Sequence, residues 1–223
     1  MKNLTTTLLL LAFSLLYVAC GDPSHDGNAA GSTETGTVED FTIVPGERVG
    51  LITPETATRE KVLALYGQNA RLDSVFLSEG LYEEGVVLYP GDPKKKVELF
   101  WSFSPETGKV LLFKILNTQN PEDGTVWKTE SGITLGTSMK EVEKINGAPF
   151  TFYGFEWDYG GFVLDWGSGK LPQSLKFRFN PTEAIDDIGE VLGEVQLRSN
   201  AKKVREMKPK VSAILVNLQI PGS

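Results

Sequence analysis

Apolar and polar residues alternate along the chain in three regimes. The first is a run, Leu8 to Val18, apolar except for Ser14 and too short to span a bilayer as a helix. The second, Gly21 to Gly36, is small and polar, with no large apolar side chain, and has the composition of a flexible tether. The third extends from about Val38 and mixes short helical and strand-like patterns. Val62 with Leu65, and Val142 with Ile145, stand three residues apart and predict two short amphipathic helices. Thr56 or Thr58 can cap the first and Thr137 or Ser138 the second. Gly67 and Gly147 supply the stops, and Pro149 prevents the second helix from continuing.

Strand patterns follow each helix. Residues 71–78, 85–89, 97–103 and 109–117 are rich in β-branched and aromatic residues and are separated by turn formers. After the second helix the same reading gives 151–159, 161–166, 174–179 and 189–198. The two stretches align at an offset of about 80 residues. Val62 matches Val142, Leu65 matches Ile145, Gly67 matches Gly147, and Leu99-Phe100-Trp101 matches Leu175-Lys176-Phe177. Val110-Leu111 falls on Val191-Leu192 after an insertion in the second copy.

The expected fold is therefore α+β. Two tandem repeats each place a short helix on an antiparallel sheet of about four strands, because short connections favour a meander. The implied segments are 1–19 as an export signal, 20–37 as tether, 38–117 and 118–198 as the two modules, and 199–223 as a C-terminal helix and strand. Ser199 and Asn200 can cap that helix, which Pro209 ends before a strand over 211–220.

Composition then narrows the chemistry. The chain of 223 residues has one cysteine, Cys20, and one histidine, His25, both ahead of the patterned region. That region cannot form a Ser-His-Asp triad, a Cys-His pair, a disulfide or a Cys/His zinc site. The net charge of −7 offers no general footprint for nucleic acid. Gly167-Ser168-Gly169-Lys170 lacks the spacing of a phosphate-binding loop, and no cofactor or metal motif is expected. Paired carboxylates remain: Glu83-Glu84 and Asp186-Asp187 in expected turns, and Glu156 with Asp158, two residues apart on one face of an expected strand. They keep open the alternative of a carboxylate-dependent hydrolase acting on envelope polysaccharide.

Leu16-Tyr17-Val18-Ala19-Cys20 resembles the lipobox of bacterial lipoproteins, with Tyr17 where Leu is usual. The resemblance implies lipidation at Cys20 and a place in the bacterial cell envelope, anchored to membrane, with the outer membrane expected. The duplicated helix-plus-meander pattern over 49–198 resembles the tandem modules of β-lactamase inhibitor proteins and the small SmpA/OmlA-type assembly lipoproteins. That resemblance concerns the fold; with cysteine and histidine absent from the patterned region, the expected function is a non-catalytic, lipid-anchored protein that binds another envelope protein or a cell-wall component through a sheet surface, as inhibitor or scaffold.

The densest local feature is Phe150 to Trp166. Alternation in a strand puts Tyr153, Phe155, Trp157 and Tyr159 on one face and Glu156 and Asp158 on the other. Aromatic rings rimmed by carboxylates suit capture of a protein loop, a peptide or a glycan. The candidate contact residues are Tyr153, Trp157, Tyr159 and Trp166, with Glu156 and Asp158. The equivalent part of the first copy, with Phe76, Leu77, Leu81 and Tyr82, reads as less specialised. A basic run, Lys202, Lys203, Arg205, Lys208 and Lys210, is expected to be a solvated face, the alternative being contact with anionic lipid or an acidic partner.

Overall fold

The computed structural model describes residues 39–104, 108–116 and 123–221, so the export signal, Cys20 and the tether lie outside the described residues. Strand β1 (Thr42–Val44) turns back into β2 (Arg48–Val49). Helix α1 (Arg59–Tyr66) starts where the Thr58 hydroxyl accepts the Lys61 backbone N–H, and it stops at Gly67. Four strands follow as an antiparallel meander: β3 (Ala70–Phe76), β4 (Tyr82–Leu88), β5 (Val97–Ser104) and β6 (Gly108–Ile115).

Strand β7 (Lys128–Thr129) pairs parallel with β1, closing a three-stranded sheet that the sequence reading did not anticipate. Helix α2 (Met139–Asn146) is capped by Ser138, whose hydroxyl accepts the Glu141 N–H at 3.2 Å. Its stop is Gly147 at φ 81°, the left-handed conformation that a side chain disfavours. Then come β8 (Thr151–Tyr153), β9 (Val163–Asp165), β10 (Leu175–Asn180), β11 (Gln196–Arg198), α3 (Lys202–Glu206) and β12 (Lys210–Gln219).

The principal sheet has six strands in the order β10-β12-β6-β5-β4-β3, all neighbours antiparallel. A third sheet has the order β11-β8-β9. Alternation along the central strands sets the core: Val97 and Leu99, Leu111, Phe113 and Ile115, Val216 and Leu218, and Leu175, Phe177 and Phe179 are all buried on one face. They join Val62 and Tyr66 of α1 and Met139 and Val142 of α2 in one apolar cluster that draws on all three sheets. The Trp101 indole donates to the Ala57 carbonyl at 2.7 Å, tying the approach to α1 onto β5. The fold is thus α+β with antiparallel pairing dominant, as the pattern implied.

Several boundaries differ from expectation. The strand expected over 151–159 ends at Tyr153, because the next amides leave the ladder: Gly154 N–H bonds to Val195 and Phe155 N–H to Val191. Glu156, at φ 63°, then turns the chain. The strand expected over 189–198 is a 3-10 turn, Gly189–Val191, followed by the short β11. Glu83-Glu84 lie within β4 and not in a turn. Ser199 does not cap α3, which starts after Ala201; its hydroxyl accepts the Phe150 N–H and donates to Glu143. The C-terminal strand is no appendage, since β12 lies inside the sheet between β10 and β6.

Candidate functional site

Trp166 is a core residue. It is 1% exposed, its indole donates to the Leu175 and Pro172 carbonyls at 2.8 and 3.1 Å, and its ring lies 5.0 Å from that of Phe150. Its expected place on a contact surface is therefore corrected. Phe155 is likewise buried, because the turn after Gly154 abolishes the alternation that would have grouped it with its neighbours. The other three aromatic candidates do come together. Tyr153 and Trp157 rings are 5.1 Å apart and Trp157 and Tyr159 rings 5.4 Å apart, both edge to face. Tyr153 and Trp157 are half-buried and Tyr159 is exposed, as are Glu156 and Asp158 on the same turn.

The turn is held from below. Trp157 donates its indole N–H to the Gly154 carbonyl at 3.0 Å. Arg178, on β10, donates Nε to the Gly160 carbonyl at 2.9 Å and Nη2 to the Trp157 carbonyl at 3.4 Å. The rings are thus displayed on a braced backbone.

The Tyr159 hydroxyl lies 3.2 Å from Ser78 Oγ, at the tip of the β3–β4 hairpin. That tip carries Leu81 and Tyr82 at 60% and 63% exposure, with Phe76 packed 5.2 Å from Tyr82. Lys114 steadies it, donating to the Phe76 carbonyl at 2.8 Å with its ammonium over the Phe76 ring. The copy that read as less specialised therefore carries the more exposed apolar side chains. The missed signal was Leu81-Tyr82 directly after Glu79-Gly80, a turn that puts both at a hairpin tip.

The carboxylate pairs do not converge. Glu84 is paired with Arg59 beside α1, and Asp187 with Lys203 at α3. Among the described residues no group of three or more His, Cys, Asp or Glu side chains could hold a metal ion. The basic run is largely neutralised: Lys203 by Asp187 and Glu190, Arg205 by Glu143, Lys208 by Glu183. No helix among the described residues is long and apolar enough to cross a membrane.

No family model, curated protein or solved structure matches the chain.

Proposed function

We propose that this chain is a non-catalytic, lipid-anchored protein of the bacterial envelope. It binds another envelope protein or a cell-wall component, acting as an inhibitor or an assembly scaffold. The observation that carries the reading is the Tyr153, Trp157 and Tyr159 ring cluster, joined by the Tyr159–Ser78 contact to the hairpin tip on which Leu81 and Tyr82 are exposed. Exposed aromatic and aliphatic side chains on braced backbone cost little entropy to bury, and such groups dominate binding energy at protein interfaces. Attachment at Cys20, with the outer membrane as destination, rests on the lipobox resemblance. Cys20→Ser should then move the protein from the membrane to the soluble fraction.

The tandem-module reading, with modules at 38–117 and 118–198, has support in a rough two-fold order. Each half runs from a capped eight-residue helix ending in glycine into successive strands, and β6 of one pairs antiparallel with β12 of the other. Phe162 bridges to Arg178, linking β9 to β10, so the halves would run β3-β4-β5-β6 and β8-β9-β10-β12 about the β6–β12 seam. In that arrangement the fourth strand of the second module is β12, beyond residue 198.

The test is a pull-down from envelope extract with the full chain and with a variant carrying Leu81→Ala, Tyr82→Ala and Trp157→Ala. A partner retained by the first and lost from the second supports the reading. Equal recovery by both refutes it.

A further inference from the structure

On the sheet face turned away from the core, β10 and β12 place four polar side chains side by side. Arg178 and Asn180 are two residues apart in β10, and Lys210 and Ser212 two apart in β12, with Asn180 opposite Lys210. Between them the ladder slips: Arg178 pairs with Ala213 but Phe179 pairs with Val211, leaving Ser212 as the extra residue of a bulge, its hydroxyl donating to the Arg178 carbonyl at 3.2 Å. Bulges re-aim side chains and recur beside binding sites. These residues line a cleft of about 740 Å³. That is ample for a small ligand.

The cleft is amphipathic. Phe162, Leu215 and Leu135 supply apolar wall, and Phe76 closes one end. Its charges are Arg178, Lys210 and Lys114 against one lining carboxylate, Glu98, which already has Lys96 at 2.8 Å and Lys114 at 3.5 Å. Arg178 is half-buried, and no carboxylate of the described residues lies within 4.0 Å of it; Asp158 acts on it only from farther away. Lys210 is exposed and has no ion-pair partner among the described residues. The guanidinium donates to the Gly160 and Trp157 carbonyls and lies over the Phe162 ring, but these neutral partners leave its charge unmatched, and a ligand carboxylate or phosphate would supply the counter-charge.

We infer that this cleft binds a small amphipathic anion, its carboxylate or phosphate between Arg178 and Lys210 and its apolar body along Phe162 and Leu215. The site needs neither the hairpin tip's partner nor the anchor.

Titration calorimetry of the full chain tests it, with decanoate and decyl phosphate below their micellar concentrations and decanol as the neutral control. Saturable binding of either anion at one per chain is expected, weakened by added salt and at least about tenfold by Arg178→Gln, the loss of one charge-assisted contact. Because Arg178 also braces the 157–160 turn, Lys210→Gln is the second variant: its exposed side chain leaves the fold intact, and a several-fold loss is expected. Binding of decanoate alone assigns a carboxylate, of decyl phosphate alone a phosphate. No saturable binding of either, equal binding of decanol, or unchanged affinity in both variants would overturn the inference.

Discussion

Asn146 is fully buried at the end of α2, and its amide makes three hydrogen bonds, two of which tie that end to the 166–171 loop. Nδ2 donates to the Ala148 carbonyl at 2.8 Å and to the Trp166 carbonyl at 2.9 Å, while Oδ1 accepts the Leu171 N–H at 3.1 Å. Asn146→Ala removes all three and leaves those backbone groups without the partner they have now. At roughly 1 kcal/mol net per bond, and more where a group stays buried and unpaired, the expected loss is about 3–5 kcal/mol. That is a large share of the roughly 5–15 kcal/mol that stabilises an ordinary domain. Urea unfolding followed by tryptophan fluorescence measures it, since Trp166 shares the lock. Gly169 offers a control, because a Cβ there would lie 2.1 Å from the Asn146 amide. Gly169→Ala should be costly alone and cost much less in the Asn146→Ala background, as expected of residues in direct contact. A loss below about 1 kcal/mol for Asn146→Ala, or full additivity of the pair, would refute the reasoning.

Three further outcomes follow from particular contacts. Gly161 stands at φ 79° with the Phe179 carbonyl 2.0 Å from where a Cβ would sit, so Gly161→Ala should break the β9–β10 junction and lower the melting temperature sharply by circular dichroism. On the free edge of β3, the Asp73 carboxylate accepts from Arg71 and from the Ser74 N–H, which hold its pKa below the ordinary value. Its contribution to stability is complete above the ordinary carboxylate range and is lost as pH falls through the lowered value, so the melting temperature should fall on acidification by calorimetry, and fall less in Asp73→Asn, which has no carboxylate there to protonate. Tyr82→Ala should shift the urea midpoint only slightly, the side chain being 63% exposed, while it weakens capture of the envelope partner.

The helices were legible because their signals are local. Thr58 and Ser138 bond within the first turn of their own helices, and Gly147 adopts its stop conformation without reference to distant chain. The first meander was legible for the same reason. What could not be read depends on remote backbone. Tyr153 ends its strand because Val191 and Val195 capture the next amides, and nothing within 150–166 encodes their arrival. Trp166 looks like any other tryptophan in an aromatic run until the Leu175 carbonyl and the Phe150 ring are found around it. The interior position of β12 likewise follows from pairing with β6, about 100 residues earlier. The candidate surface was half legible: the grouping of Tyr153, Trp157 and Tyr159 was foreseen, but as one face of a strand and not as a turn, and the hairpin tip was not foreseen.

The claim that the Tyr159 and hairpin-tip surface is what this protein binds with is tested most directly by crosslinking in living cells. A photoreactive phenylalanine would replace Tyr82, Tyr159 or, as a distant control, Lys140 on α2. The account predicts one common crosslinked species from positions 82 and 159 and none from 140. Crosslinks from position 140 alone, or none from 82 and 159, would contradict it.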